Sequence, residues 1–438
     1  MLAPVTEGRS QPQRFTPKLR HALLTIATVS LVFSPIDTLA QSTTDSTRIA
    51  ELERQIDAVS RELERLDLGA DVVQADSSAY GFGPAASKVY QIESGVSIGG
   101  YGEFLYENYS TERENGQASG ALDKHDALRA IIYLGYKFND RFIFNSEIEI
   151  EHAKEIYLEF AYLDYNLSDN FGLRGGMLLA PLGLVNELHE PPIFLGSERA
   201  ITEQRIIPTT WRENGFGAFG GSDTFSWRLY AMNSLNGANF GAKGVRGGRQ
   251  KGYKALAEDF GIAGRLDYTG TPGLLVGLST YTGGTAHNRE IDGRQVDGRL
   301  TIWDAHLDYR SGGFWLRGLM ASATIGDAAR LNSLAGNSGD DGVGEEMGGW
   351  YVQAGYDILR NTTASHELIP YIGFERVNTQ QAVPMGFSID PSMDLSLTTI
   401  GAAWRPLPQI SLKMDYQIHS NEASTGVNQW NVNLGWLF

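Results

Sequence analysis

From residue 96 to residue 438, apolar and polar positions alternate in runs, and each run reads as a β-strand whose two faces meet different surroundings. Near 128–138, Leu128, Ala130, Ile132, Leu134, Tyr136 and Phe138 fall on one face, leaving Arg129, Tyr133 and Lys137 on the other. Likewise Phe142, Phe144, Ile148 and Ile150 oppose Arg141, Asn145, Glu147, Glu149 and Glu151, and Ile410, Leu412, Met414, Tyr416 and Ile418 oppose Lys413, Asp415, Gln417 and His419. Repeated sixteen times, this alternation predicts an all-β fold: a 16-stranded antiparallel transmembrane β-barrel over residues 91–438, apolar face on lipid and polar face on a lumen. Short turns at 168–170, 221–223, 271–273, 311–313, 360–366 and 407–409 alternate with polar loops at 110–127, 181–213, 236–259, 285–298, 327–348, 381–393 and 422–426. Asn139-Asp140 and Ala153-Lys154 interrupt that order, and which of them marks an outer loop stays open.

Ahead of the strands the pattern changes period. Lys18, Arg20 and His21 precede an apolar run at 22–33, and Thr38-Leu39-Ala40 offers small residues before a cut, so residues 1–40 read as a secretory signal peptide. Within 41–90, Ile49, Leu52, Ile56, Val59, Leu63 and Leu66 recur at spacings of three and four with Glu and Arg on the flanks. That stripe, confined to two heptad positions, is the seam of a short periplasmic coiled-coil helix, with a lone amphipathic helix on the barrel mouth as the alternative. The Ala, Ser and Gly of residues 69–90 read as a linker. At the other end Trp430, Val432, Leu434, Trp436 and Phe438 form an aromatic strand face, which resembles the sorting signal of bacterial outer-membrane barrels when Phe438 is the terminal residue.

Composition narrows the class. The absence of Cys excludes a disulfide framework and thiolate metal ligands. The 51 Gly, 19 Tyr, 19 Phe and 8 Trp with a mean hydropathy of -0.23 suit strands that are greasy on one side only. A net charge of -16 argues against nucleic acid as a partner. No metal or cofactor site is expected: Asp304, His306 and Asp308 share a strand face without a second His, and the Gly215–Gly220 glycine pattern has no helix after it.

The chemistry that remains is charge along a lumen. Parity turns Arg129, Lys137, Arg141, Arg174, Arg228, Arg265, Arg317 and Lys413 inward, where successive guanidinium and ammonium groups offer an anion weak sites in series; salt-bridge scaffolding is the competing use of the same residues. The loop at 181–213 carries Glu187, Glu190, Arg199, Arg205 and Arg212 and is stiffened by Pro181, Pro191, Pro192 and Pro208, which suits a constriction folded into the lumen; an outer loop packed over the barrel mouth is the alternative. A further basic run, Lys243, Arg246, Arg249, Lys251 and Lys254, gathers anions at the outer mouth, binds lipopolysaccharide phosphates or is a solvated loop.

Residues 173–220, LRGGMLLAPLGLVNELHEPPIFLGSERAITEQRIIPTTWRENGFGAFG, resemble the corresponding segment of the phosphate-selective porin O and P family. The resemblance implies a homotrimeric outer-membrane porin, embedded in lipid and lipopolysaccharide, that passes small anions such as phosphate through a water-filled barrel. It transfers no individual binding residue. A general or dicarboxylate-type pore, and a barrel that anchors an envelope tether or adhesin, are the alternatives; no catalytic constellation points to an enzyme.

Overall fold

The computed structural model describes residues 78–438 together with Arg48, Ala50, Glu51, Arg54, Gln55, Asp57 and Ala75. Contacts divide the chain into two units, Met1–Val72 and Val73–Phe438. In the first, the six described residues are helical, and Arg54 pairs with Glu51 at 2.9 Å. The proposed signal peptide and the seam from Ile49 to Leu66 lie outside the described residues.

In the second unit sixteen strands close into one antiparallel barrel. They are β1 (Gly95–Tyr109), β2 (Lys124–Lys137), β3 (Phe142–Glu151), β4 (Glu155–Ser168), β5 (Phe171–Leu179), β6 (Arg212–Gly221), β7 (Phe225–Asn233) and β8 (Phe260–Thr271). There follow β9 (Leu274–Gly283), β10 (Leu300–Ser311), β11 (Phe314–Ile325), β12 (Glu346–Tyr356), β13 (Glu367–Ala382), β14 (Asp394–Leu407), β15 (Ile410–Asn421) and β16 (Gln429–Leu437). Closure runs from Tyr101 opposite Leu437 to Tyr109 opposite Gln429, and Phe438 and Gly100 exchange backbone hydrogen bonds. Closure leaves the sheet without a free edge, which a lipid setting demands.

The period-two pattern is what makes these strands. On β2, Ile132, Leu134 and Tyr136 are exposed outward while Ile131 and Tyr133 are buried inward. One slip alters the parity: Glu147 pairs with Phe160 and Ile148 with Leu158, so Glu159 is a bulge residue and both Glu159 and Phe160 are buried. Among the described residues no helix is long and apolar enough to cross a membrane.

Strand order settles the interrupted alternation. Residues 138–141 lie at the end that carries the short turns, and residues 152–154 lie at the end that carries the long loops, cut there to three residues with His152 and Ala153 at φ 53°.

The interior is fuller than parity alone predicts. The loop at 180–211 folds into the barrel, where Leu182, Leu184, Ile206, Ile207 and Trp211 cover inward Met232, Tyr281, Ile302, Leu319 and Tyr351. The stretch at 78–94 is no linker: Phe82, Ala85, Ala86 and Val89 are buried inside the barrel among Tyr101, Tyr133, Phe160 and Tyr162. Its small residues serve close approach, since a Cβ on Gly83 would lie 2.5 Å from the Glu190 carboxyl carbon and one on Gly81 2.8 Å from Glu187 Oε1.

Candidate functional site: the charged lumen

The strand bases point inward, and the structure gives nearly all of them internal partners. On β5, Arg174 meets Asp164 of β4 through two bonds of 2.7 and 2.9 Å and lies against the rings of Phe82, Tyr162 and Phe219 at 4.2–4.7 Å. Arg228 of β7 bonds Glu187 at 2.8 Å and Asp267 at 3.0 Å, and Arg265 of β8 meets the same two acids. Arg317 of β11 donates to the backbone oxygens of Ile193 and Leu184 and lies 3.7 Å from Asp308, while Lys413 of β15 donates to those of Pro191 and Gly196. Arg129 stands between Glu103 at 3.4 Å and Glu149 at 3.7 Å. Lys137 bonds the Ile92 carbonyl. Arg141 departs from its expected place: β3 begins at Phe142, so Arg141 falls in the turn and is exposed.

These bonds hold the 180–211 loop to the wall. Glu187 engages Arg228 and Arg265, and Glu190 accepts from the backbone N–H groups of Ala85 and Ala86 at 3.1 Å. Arg212 opens β6 and bonds Glu159 at 2.7 Å. His306 sits between Asp304 at 2.6 Å and Asp267 at 2.8 Å, so the Asp304–His306 pattern is part of the wall's internal scaffolding. Among the described residues no group of three or more His, Asp or Glu is placed to hold a metal ion.

A different set of cations is left available. The helix α2 (Ile201–Arg205; the short Lys88–Gln91 segment is α1) stands in the loop with the N–H of Ile201 donating to Glu375 at 3.0 Å, and it is flanked by Arg199 and ends at Arg205. The 234–259 loop packs on it: the Val245 N–H donates to the Arg205 carbonyl at 3.3 Å and Arg249 donates to the Thr210 carbonyl at 2.8 Å. Those bonds bring Arg246 beside Arg199. Among the described residues the Arg199 side chain hydrogen-bonds the His189 carbonyl, that of Arg205 meets Met393 Sδ, and one Arg246 guanidinium nitrogen is buried with no partner. Among the described residues none of the three pairs with a carboxylate.

They surround two adjoining cavities at the long-loop end. One, of about 170 Å³, is lined by Arg199, Arg205, Gln353, Thr399, Gln417 and His419. The other, of about 430 Å³, is lined by Arg129, Arg199, Arg246, Glu107, Asp126 and His152. Glu198 and Gln204 border both. Burial first, and then the neighbouring Arg249 and Arg199 charges, lower Arg246 to about 9, so it stays cationic at neutral pH. Burial raises Glu198 to about 7, aided by Glu107 and Asp415. Of the remaining basic run, Lys243 and Lys254 are exposed and Lys251 lies over the Tyr157 ring at 4.6 Å. Parity points to Gln417 and His419; Glu198 and Gln204, on a loop with no period, carry no such signal.

No family model matches the chain. An uncharacterized protein of Aquifex aeolicus (strain VF5) is 37% identical over 374 residues, covering 82% of this chain and 83% of that protein. The chain belongs to the family of that protein. Among solved structures it is similar to OmpF of Salmonella typhi in complex with daunomycin, with a TM-score of 0.51 at 14% identity over 79% of this chain and 98% of that one. It is also similar to a loop L8 deletion mutant of OmpT, an outer membrane protein of Vibrio cholerae, with a TM-score of 0.50 at 9% identity over 79% and 100%. The fold is thus that of a porin-like barrel, while the finer resemblance to phosphate-selective porins rests on the sequence, most clearly on residues 173–220 and the last strand.

Proposed function

We propose that the chain is an outer-membrane channel for small anionic solutes, recruited at the vestibule formed by Arg199, Arg205 and Arg246. The observation that carries this reading is the contrast in charge pairing: Arg129, Arg174, Arg228 and Arg265 of the wall lie against carboxylates, whereas among the described residues Arg199, Arg205 and Arg246 have no carboxylate partner beside a cavity. A guanidinium with an open fork binds phosphate or carboxylate, and several at intervals pass it on rather than trap it. The exposed apolar belt, including Ile132, Leu134, Leu278, Trp303, Trp350 and Leu434, supports an outer-membrane setting, and Lys243 and Lys254 at the rim suit lipopolysaccharide phosphates. Assembly as a homotrimer is part of the proposal.

A general pore of weak selectivity is the second reading, favoured by Glu103, Glu107, Asp126 and Glu198 on the same cavity. Reversal potentials across a potassium chloride gradient separate the two. An anion preference supports the first reading, and equal or cation-weighted permeability establishes the second.

A further inference from the structure

The 78–94 stretch occupies the barrel without belonging to its wall. The bonds that hold it come from side chains. Glu190 accepts from the Ala85 and Ala86 N–H groups, Asn145 Nδ2 donates to the Ala86 carbonyl at 2.9 Å, and Lys137 Nζ donates to the Ile92 carbonyl at 2.9 Å. Tyr90 Oη donates to Asp164 at 2.8 Å and accepts from Arg174 at 3.0 Å, and Phe82 stacks on Tyr162 at 5.3 Å between ring centroids. No residue of 78–94 pairs into the barrel ladder, which begins with β1 at Gly95; the Ala79–Phe82 bridge is internal to the stretch. Withdrawal therefore breaks no strand pairing.

The surface beneath it is mixed: Phe82, Ala85 and Ala86 cover Ile131, Phe160 and the rings of Tyr101, Tyr133 and Tyr162, and charged groups stand among them. Inward from β3, β4 and β5 stand Asn145, Glu147, Glu149, Glu159, Asp164 and Arg174, together with the hydroxyl of Tyr162 and that of Tyr133 on β2. The Arg174–Asp164 pair and the Arg212–Glu159 pair lie within the wall and persist without the stretch. The opposite side differs: Met232, Tyr281, Ile302 and Leu319 are sealed by leucine, isoleucine and tryptophan of the 180–211 loop, and uncovering them exposes apolar area to water.

We infer that residues 78–94 are a detachable plug, and that the solute route below the outer vestibule runs along the β3–β5 wall once this segment of the chain withdraws. The inference rests on the channel reading of the preceding subsection. Glu190 joins the plug to the 180–211 loop, so displacing either loosens the other.

Because the chain has no cysteine, the plug can be fastened selectively. Full-length protein carrying Ala86→Cys and Asn145→Cys is joined by a short thiol-reactive linker that a reductant cleaves, and its conductance is followed in planar bilayers. Linking is expected to abolish most of the conductance and reduction to restore it; deletion of residues 78–92 is expected to raise conductance several-fold over the unmodified chain. A linked protein that conducts like the reduced one overturns the plug while leaving the channel standing. If the deletion variant does not assemble, the linked pair decides alone. If the unmodified and reduced proteins never conduct, the channel reading itself fails, and the plug with it.

Discussion

The arginines of the wall and the arginines of the loops have the same chemistry and opposite circumstances. Arg174, Arg228 and Arg265 are buried and each is ion-paired with at least one carboxylate, while Arg199, Arg205 and Arg246 sit between loops with no carboxylate partner among the described residues. A buried pair fixes architecture, because removing either member strands the other charge away from water. An unpaired guanidinium beside water-filled space instead raises the local concentration of anions. Facing the lumen is therefore a weaker guide to a solute site than lacking an internal partner.

The comparison is broken most directly through stability. Arg174→Ala leaves Asp164 buried and unpaired and is expected to cost about 3–5 kcal/mol, whereas Arg199→Ala should stay within about 0.5 kcal/mol. The temperature at which the folded barrel loses its compact migration on detergent gels measures both. Similar losses at the two positions would erase the distinction between scaffold and site.

A smaller effect concerns capture. Neutralising Lys243 and Arg246 together is expected to lower conductance at 0.1 M salt, where screening extends about 10 Å, and to matter little at 1 M, where it extends about 3 Å. Equal losses at both concentrations would place these residues in the narrow part of the route.

The smallest effect concerns pH. Glu198 is raised to about 7, so it is largely anionic at pH 8 and largely neutral at pH 6. Losing its charge beside Arg199 makes the vestibule more positive, and anion preference should therefore rise as pH falls through 7. Glu198→Gln isolates the carboxylate: it should show the higher preference already at pH 8 and a shallower pH profile. A profile identical to that of the unchanged protein would remove Glu198 from the account.

The barrel was legible because strand period and lipid contact write themselves into every second residue, as in Leu128 to Tyr136. Strand bounds matched the alternation to within a few residues for the same reason. What parity could not convey was pairing across the lumen: Arg174 and Asp164 occupy adjacent strands in a register set by β4–β5 pairing, and Glu187 reaches Arg228 only because its loop turns inward. The 78–94 stretch was missed because Ala, Ser and Gly describe a linker and a closely packed insert equally well. Tyr80, Phe82 and Tyr90, aromatic residues set in that small-residue background, were the available sign that it packs against something.

The central claim is that the loop arginines, and not the wall arginines, set ionic preference. Reversal potentials across a potassium chloride gradient test it with the unchanged protein and with Arg199→Gln, Arg205→Gln and Arg246→Gln combined. The account predicts an anion-selective channel whose potential moves toward the cation side in the triple variant, as Glu107, Asp126 and Glu198 come to dominate the vestibule. A triple variant with unchanged selectivity, or a cation-selective channel from the outset, would contradict it.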